Sequence, residues 1–234
     1  MSFDSYTKLM AFFNGADGAA PGTAETGQTL TAFGGAALDT AQKKNGTASV
    51  LLDANDGVTV PDSADWIFGT DPFTLDAWVR FNSTGSTYHM IASQGAGGGV
   101  QFIWYWQGNL LRLQIYGAGP AITLDCYCSW TPLTGQWYHV ALCRTGSSWY
   151  MYIDGVAQSL TLAAGGYSAN WGNYDTAFCI GIQSASGANG FDGWIDNFRV
   201  SNGICRWTST FTPPATEDEY TAEYLMGGQR IHIF

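Results

Sequence analysis

The stretch from Phe191 to Pro214, FDGWIDNFRVSNGICRWTSTFTPP, constrains the fold more than any other part of the chain. An extended strand puts successive side chains on opposite faces. Trp194, Asp196, Phe198 and Val200 are therefore expected on one face, with Ile195, Asn197 and Arg199 on the other. Ser201-Asn202-Gly203 breaks the strand. Ile204, Trp207 and Phe211 then recur at spacings that let three large apolar groups lie on a surface before Pro213-Pro214 ends the run. A strand followed by an apolar strap reads as the closing piece of a β-sandwich.

The chain before it is consistent with that reading. Phe73–Phe81 (FTLDAWVRF) is the most central strand, with Phe73, Leu75, Ala77, Val79 and Phe81 on one side and Trp78 and Arg80 on the other. The runs 100–107 and 110–116 are joined by Gly108-Asn109, two residues suited to positive φ, which predicts a hairpin. Trp137–Arg144 and Trp149–Ile153 form a second hairpin, and Lys8–Asn14 is a first strand ending at the turn Gly15–Gly18. The segment Asp62–Trp66 reads as a capped helical turn. About a dozen short strands with no long helical period predict an all-β, two-sheet antiparallel sandwich or a barrel. Residues 1–214 read as one such domain. Residues 215–234 read as a C-terminal tail that supplies an edge strand or docks on another subunit.

Composition narrows the function. The net charge of −10 over 234 residues argues against nucleic acid, whose phosphates need Lys and Arg, and against anionic membrane surfaces. No run of about 20 apolar residues exists to span a membrane. The N-terminus MSFDSYTKLM lacks a basic-then-apolar secretory pattern, which points to folding in the cytoplasm of the cell that makes it. The five cysteines read as buried thiols; Cys205 with Cys126 or Cys128 are the participants expected if oxidation cross-links the chain. Catalytic patterns are missing: there is no nucleophile elbow and no phosphate loop, and Glu25, Glu217, Glu219 and Glu223 fall in a loop and the tail. Asp125 beside Asp154 is the one carboxylate pair to check for glycoside hydrolysis. His89 and His139 read as structural residues in strands.

Five segments in order resemble the laminin-G-like jelly rolls of the concanavalin A-like lectin and glucanase group. They are KLMAFFNGADG, ASVLLDANDGVTVPDSADWIFG, FTLDAWVRF, WYHVALCRTGSSWYMYIDG and the closing stretch above. The resemblance implies a jelly-roll β-sandwich in which first and closing strands are neighbours. It also implies a structural calcium ion held by Asp17 and Asp196, with carbonyls of the Lys44–Gly46 turn completing its shell. The ending R-V-S-N-G-x-x-R-W-x-x-x-F-x-P-P is similar to versions in tailed-phage structural proteins. That likeness implies a non-catalytic virion protein, such as a capsid decoration, fibre or tail component, with a homo-oligomer, other virion proteins and a host or environmental surface glycan as partners. A bacterial cytoplasmic or cell-surface protein is the alternative setting, and a purely structural virion protein or a glycoside hydrolase are the alternative functions.

Aromatic faces stack on sugar rings while amides read hydroxyls. Phe102, Trp104 and Trp106 alternate on a strand and are best explained by the core. Trp130, Tyr167, Trp171 and Tyr174 lie in loops without strand period, so with Asn170 and Asn173 they are the expected ligand contacts. Burial at a subunit interface would explain the same aromatics.

Overall fold

Two antiparallel sheets pack face to face in this computed structural model, which describes residues 2–85, 88–95, 101–117, 121–184, 187 and 189–221, and the backbone of 224–226 and 229–231. The first sheet runs Val156–Ala157, Ser148–Ile153, Trp137–Thr145, Phe73–Phe81, Gly193–Asn202, Ser49–Leu52, Ala37–Asp39; Thr7–Ala11 also pairs with Gly193–Asn202. The second runs Thr161–Gly165, Ile122–Ser129, Leu110–Tyr116, Gln101–Gln107, His89–Gly95, Phe178–Ile180, Gly57–Val60, Thr31–Phe33. This is the all-β jelly-roll sandwich expected from the sequence. The loop expected over 96–99, the side chain of Glu223 and His232 lie outside the described residues.

The core follows from period-two alternation. Phe73, Leu75, Ala77, Val79 and Phe81 face Phe102, Trp104, Trp106, Leu111, Leu113 and Ile115 in one continuous cluster. The hairpin register is as the turn dictates: Gln107 pairs with Leu110 across Gly108 (φ 56°) and Asn109 (φ 66°), a positive-φ pair that matches the twist of the flanking strands.

The closing strand departs from strict alternation. Ile195, Phe198 and Val200 all enter the core, whereas Trp194, Asp196 and Arg199 face outward. The cause is a bulge between Asp196 and Arg199, where Asn197 takes φ 49° and adds one residue to the strand. Phe198 and Val200 therefore do not share a face with Trp194 and Asp196.

First and closing strands are neighbours, with Ala11 opposite Phe198 and Met10 opposite Arg199. The strap lies on the outer face of the first sheet. Trp207 and Phe211 stack at 3.8 Å and 3°, and Tyr152 donates its hydroxyl to the Trp207 carbonyl at 2.9 Å. Arg206 pins strap to N-terminus through Asp4 (2.9 Å), Thr7 Oγ1 (2.9 Å) and Ser201 Oγ (2.8 Å). The tail turns back into a short helix, Glu217–Thr221, whose Tyr220 is buried against Met10 and Phe12. The strands Tyr224–Met226 and Gln229–Ile231 pair with each other rather than extending either sandwich sheet.

Candidate functional site

Burial removes most of the expected loop-aromatic site from the surface. Trp171 is fully buried, its ring 4.0 Å from Phe102 and 4.8 Å from Phe73, because the pairing of its backbone with Gly69 draws it inward. Tyr174 is buried beside Phe102, and Trp130 packs edge-on against Phe81 and Tyr138. All three belong to the core and are not ligand contacts. Tyr167 is half-buried, with its carbonyl accepting from Trp149 Nε1 at 2.8 Å. Asn170 and Asn173 are exposed, and Asn173 is engaged locally with Asp175 at 2.7 Å. Aromatic residues in Gly- and Asn-rich loops can fold inward where the inter-sheet space needs filling.

The expected calcium pair is not brought together as a site. Asp17 is exposed, and its Oδ1 accepts from the Thr40 amide at 3.0 Å and the Thr40 hydroxyl at 3.2 Å. Asp196 is fully buried on the closing strand. The Lys44–Gly46 turn offers it amides rather than carbonyls: Lys44 and Asn45 N–H groups donate to Oδ2 at 2.8 and 3.1 Å, and the Asn197 amide donates to Oδ1 at 2.8 Å. Burial pushes Asp196 up to about 7 despite these bonds, and the Glu217 carboxylate adds to the rise. Asn197 Oδ1, also buried, has no partner among the described residues. Asn14 bonds Glu217 at 2.8 Å, and an open polar recess beside it is lined by Asn45, Gly46, Thr216, Glu217 and Asp218. Among the described residues no group of three or more His, Cys, Asp or Glu is placed to hold a metal.

The carboxylates do not form a hydrolytic pair. Asp125 lies in the second sheet, whereas Asp154 ends the Ser148–Ile153 strand of the first sheet and accepts from the His139 amide at 2.9 Å. Glu25 is spent on the Phe12 amide at 3.0 Å.

The outer face of the second sheet carries a polar aromatic constellation that sequence reading missed. Register aligns Met90, Tyr105, Arg112 and Tyr127 in one row and Ile103, Gln114 and Asp125 in the next. Arg112 grips Asp125 with two parallel bonds, Nε to Oδ1 at 2.7 Å and a second from the guanidinium to Oδ2. Gln114 Nε2 donates to Asp125 Oδ2 at 2.9 Å, while its Oε1 accepts from Tyr105 (3.2 Å) and Tyr116 (3.1 Å). Tyr88 packs on Tyr105 at 5.2 Å, and Arg112 lies 5.8 Å over Tyr127. The Asp125 hydrogen bond pushes Arg112 up, and burial pushes the Tyr105 and Tyr116 hydroxyls up, so Arg112 is cationic and both phenols are neutral donors. Arg112 keeps 26% of its side chain exposed, and Tyr116 and Tyr127 remain half-exposed. The signal was present in the sequence. If Phe102, Trp104 and Trp106 face the core, the hairpin register puts Tyr105, Arg112, Gln114 and Tyr116 together on the opposite face.

Tyr105, Gln114 and Asp125 are themselves buried and bonded to one another, so what this face presents is the partly exposed rings of Tyr116 and Tyr127 and the exposed part of Arg112, held on paired strands rather than loops. Comparisons with known proteins agree with the fold. Domain 4 of AbnA, a GH43 extracellular arabinanase from Geobacillus stearothermophilus solved with arabinotriose, matches at 18% identity over 85% of this chain and 93% of that one, with a TM-score of 0.61. The receptor binding domain of botulinum neurotoxin C/D mosaic serotype matches at 12% identity, 84% of this chain and 48% of that one, with a TM-score of 0.60. The binding domain of botulinum neurotoxin DC, solved with SialylT, matches at 13% identity over 84% and 48%, with a TM-score of 0.57. The chain spans about half the length of these two neurotoxin domains. At such identities the likeness shows the fold alone. No curated protein sequence matches. The profile of the Laminin G 3 family, described as Concanavalin A-like lectin/glucanases superfamily, matches residues 52–207. With well over half of its length matched and a jelly roll built on the strands that carry the match, the chain belongs to the concanavalin A-like lectin/glucanase superfamily.

Proposed function

We propose that the protein is a non-catalytic recognition module that binds glycan on the outer face of its second sheet. The observation that carries this reading is the Arg112–Asp125–Gln114 network ringed by Tyr88, Tyr105, Tyr116 and Tyr127. Tyr116 and Tyr127 offer ring faces to a pyranose, and Arg112 offers the donors left after Asp125 is satisfied. Against hydrolysis stands the role of Asp125: a carboxylate gripped by a guanidinium is a poor general acid. Loop residues Tyr167, Asn170 and Asn173 are secondary contacts in this proposal. The setting we propose is a bacteriophage virion assembled in a bacterial cytoplasm, as a decoration, fibre or tail component in oligomeric form, where avidity raises a weak intrinsic affinity.

A structural calcium ion belongs to the same proposal, moved from the Asp17–Asp196 pair to Asp196, Glu217 and the Asn197 amide oxygen. A buried carboxylate raised by desolvation and by a second carboxylate is either protonated or neutralised by a cation. The ion would tie the closing strand to the C-terminal helix.

A glycan array probed with the intact chain, with and without calcium, tests the reading. Binding to at least one glycan class, lost in a Tyr116→Ala/Tyr127→Ala variant, is the expected result. No binding to any glycan under either condition would remove the lectin reading and leave a purely structural virion role. Particles assembled without the protein would then show the defect by imaging.

A further inference from the structure

All five cysteines are free thiols. Cys126, Cys128 and Cys179 are at most 2% exposed; Cys126 and Cys128 face the core between the sheets, and Cys179 lies on the opposite face of the second sheet from its core neighbours Phe178 and Ile180. Cys205 is not near Cys126 or Cys128, as oxidation by that route would require; it meets Cys143. Cys143 lies on the outer face of the first sheet, and Cys205 comes down on it from the strap, both packed in the cluster of Ala141, Tyr152, Trp207 and Phe211. The hydroxyl of Thr74 marks the contact. It reaches Cys143 Sγ at 3.5 Å, donates to the Ile204 carbonyl at 3.1 Å and accepts from the Arg206 amide at 2.9 Å. The residues on both sides of Cys205 are thus bonded to the oxygen that touches the Cys143 sulfur. Cys205 Sγ lies 3.2 Å from the Trp207 carbonyl, in the same cluster as Cys143.

We propose that Cys143 and Cys205 form a disulfide when the protein enters an oxidising medium, locking the strap onto the first sheet. The pair is chemically asymmetric. Cys205 is half-exposed and interaction with Cys143 holds its thiol below its ordinary pKa, whereas Cys143 is fully buried and burial pushes it well above. The Cys205 thiolate therefore attacks first, on a small-molecule disulfide such as oxidised glutathione, forming a mixed disulfide and releasing one glutathione thiolate. Cys143 then gives up its proton and attacks Cys205 Sγ, expelling the second glutathione thiolate. Two cysteine thiols are oxidised and one glutathione disulfide is reduced to two thiols.

The bridge would close the chain between residues 143 and 205, removing conformations from the unfolded state, so Tm is expected to rise by about 10 °C. The test treats the intact chain with oxidised glutathione, blocks residual thiols, and maps peptides without reduction. A Cys143–Cys205 linked peptide, three remaining blocked cysteines, and a Tm rise reversed by dithiothreitol are the expected results. Cys205→Ser, at a half-exposed position that spares the fold, should abolish both the linked peptide and the rise; Cys143→Ala should abolish the linked peptide. A wild-type chain that yields no such peptide, a linkage through Cys126 or Cys128, or an undiminished Tm rise in Cys205→Ser would each overturn the proposal.

Discussion

An arginine grips an aspartate on the outer face of each sheet, and the two pairs live in opposite surroundings. On the first sheet Arg199 bonds Asp76 at 2.9 and 3.2 Å, His139 Nε2 lies 3.3 Å from the same carboxylate, and all three side chains are fully buried. Trp207 and Tyr220 cover the guanidinium at 5.5 and 4.8 Å. On the second sheet Arg112 and Asp125 make the same pair; Asp125 is also buried, but Arg112 keeps 26% of its side chain exposed, and the aromatics beside it are tyrosines. Burial works to raise Asp76, but Arg199 and His139 outweigh it and hold the carboxyl below its ordinary value. The covered pair is an anchor for the closing segment, because nothing can reach it. At the second pair the exposed part of Arg112 and the partly exposed rings of Tyr116 and Tyr127 are the groups on which the proposed recognition role rests.

Removing one partner from each pair should expose that difference most strongly. Arg199→Ala leaves Asp76 buried without its cation and is expected to cost about 3–5 kcal/mol in urea unfolding. Trp171→Ala empties a fully buried site and should cost about 3–5 kcal/mol as well, with glycan affinity per folded molecule unchanged. A Trp171 variant that folds normally but fails to bind would restore the loop to the site.

The pH dependence of the metal-free protein probes Asp196. Its folded pKa, about 7, lies above the ordinary value of 3.8, so the folded state holds the proton more tightly. The associated stability is fully present below about pH 4 and is lost as pH rises through 7, about 4 kcal/mol in all. In chelator, wild type minus Asp196→Asn stability should fall across that window. Added calcium should raise Tm near neutral pH in wild type and not in the variant; an unchanged Tm on calcium addition or chelation would remove the ion from the account.

Smaller effects are expected on the open sheet. Arg112→Ala leaves the buried Asp125 with Gln114 and with water admitted through the space the guanidinium vacates, and should cost about 1–2 kcal/mol. A loss equal to that of Arg199→Ala would erase the contrast between the two faces.

The strands were legible because Phe73–Phe81 and Phe102–Trp106 alternate cleanly, and the closure was legible because Trp207 and Phe211 follow a strand that must be covered. The Asn197 bulge was not legible, since one extra residue is a tertiary accommodation between Asp196 and Arg199 that alternation alone cannot reveal. The burial of Trp171 and Tyr174 was not legible for a related reason: their neighbours in sequence are polar, whereas the space between the sheets decides where they pack. Arg112 and Asp125 come from separate strands, so their pairing depended on register, and only the Gly108-Asn109 turn fixed part of it in advance.

The most direct test compares the intact wild-type chain with Tyr116→Ala/Tyr127→Ala by calorimetry against a glycan selected on the array. The account predicts at least about a tenfold loss of affinity, with stability within about 1 kcal/mol of wild type. Undiminished binding by the folded double variant would contradict the assignment of the open sheet as the recognition face.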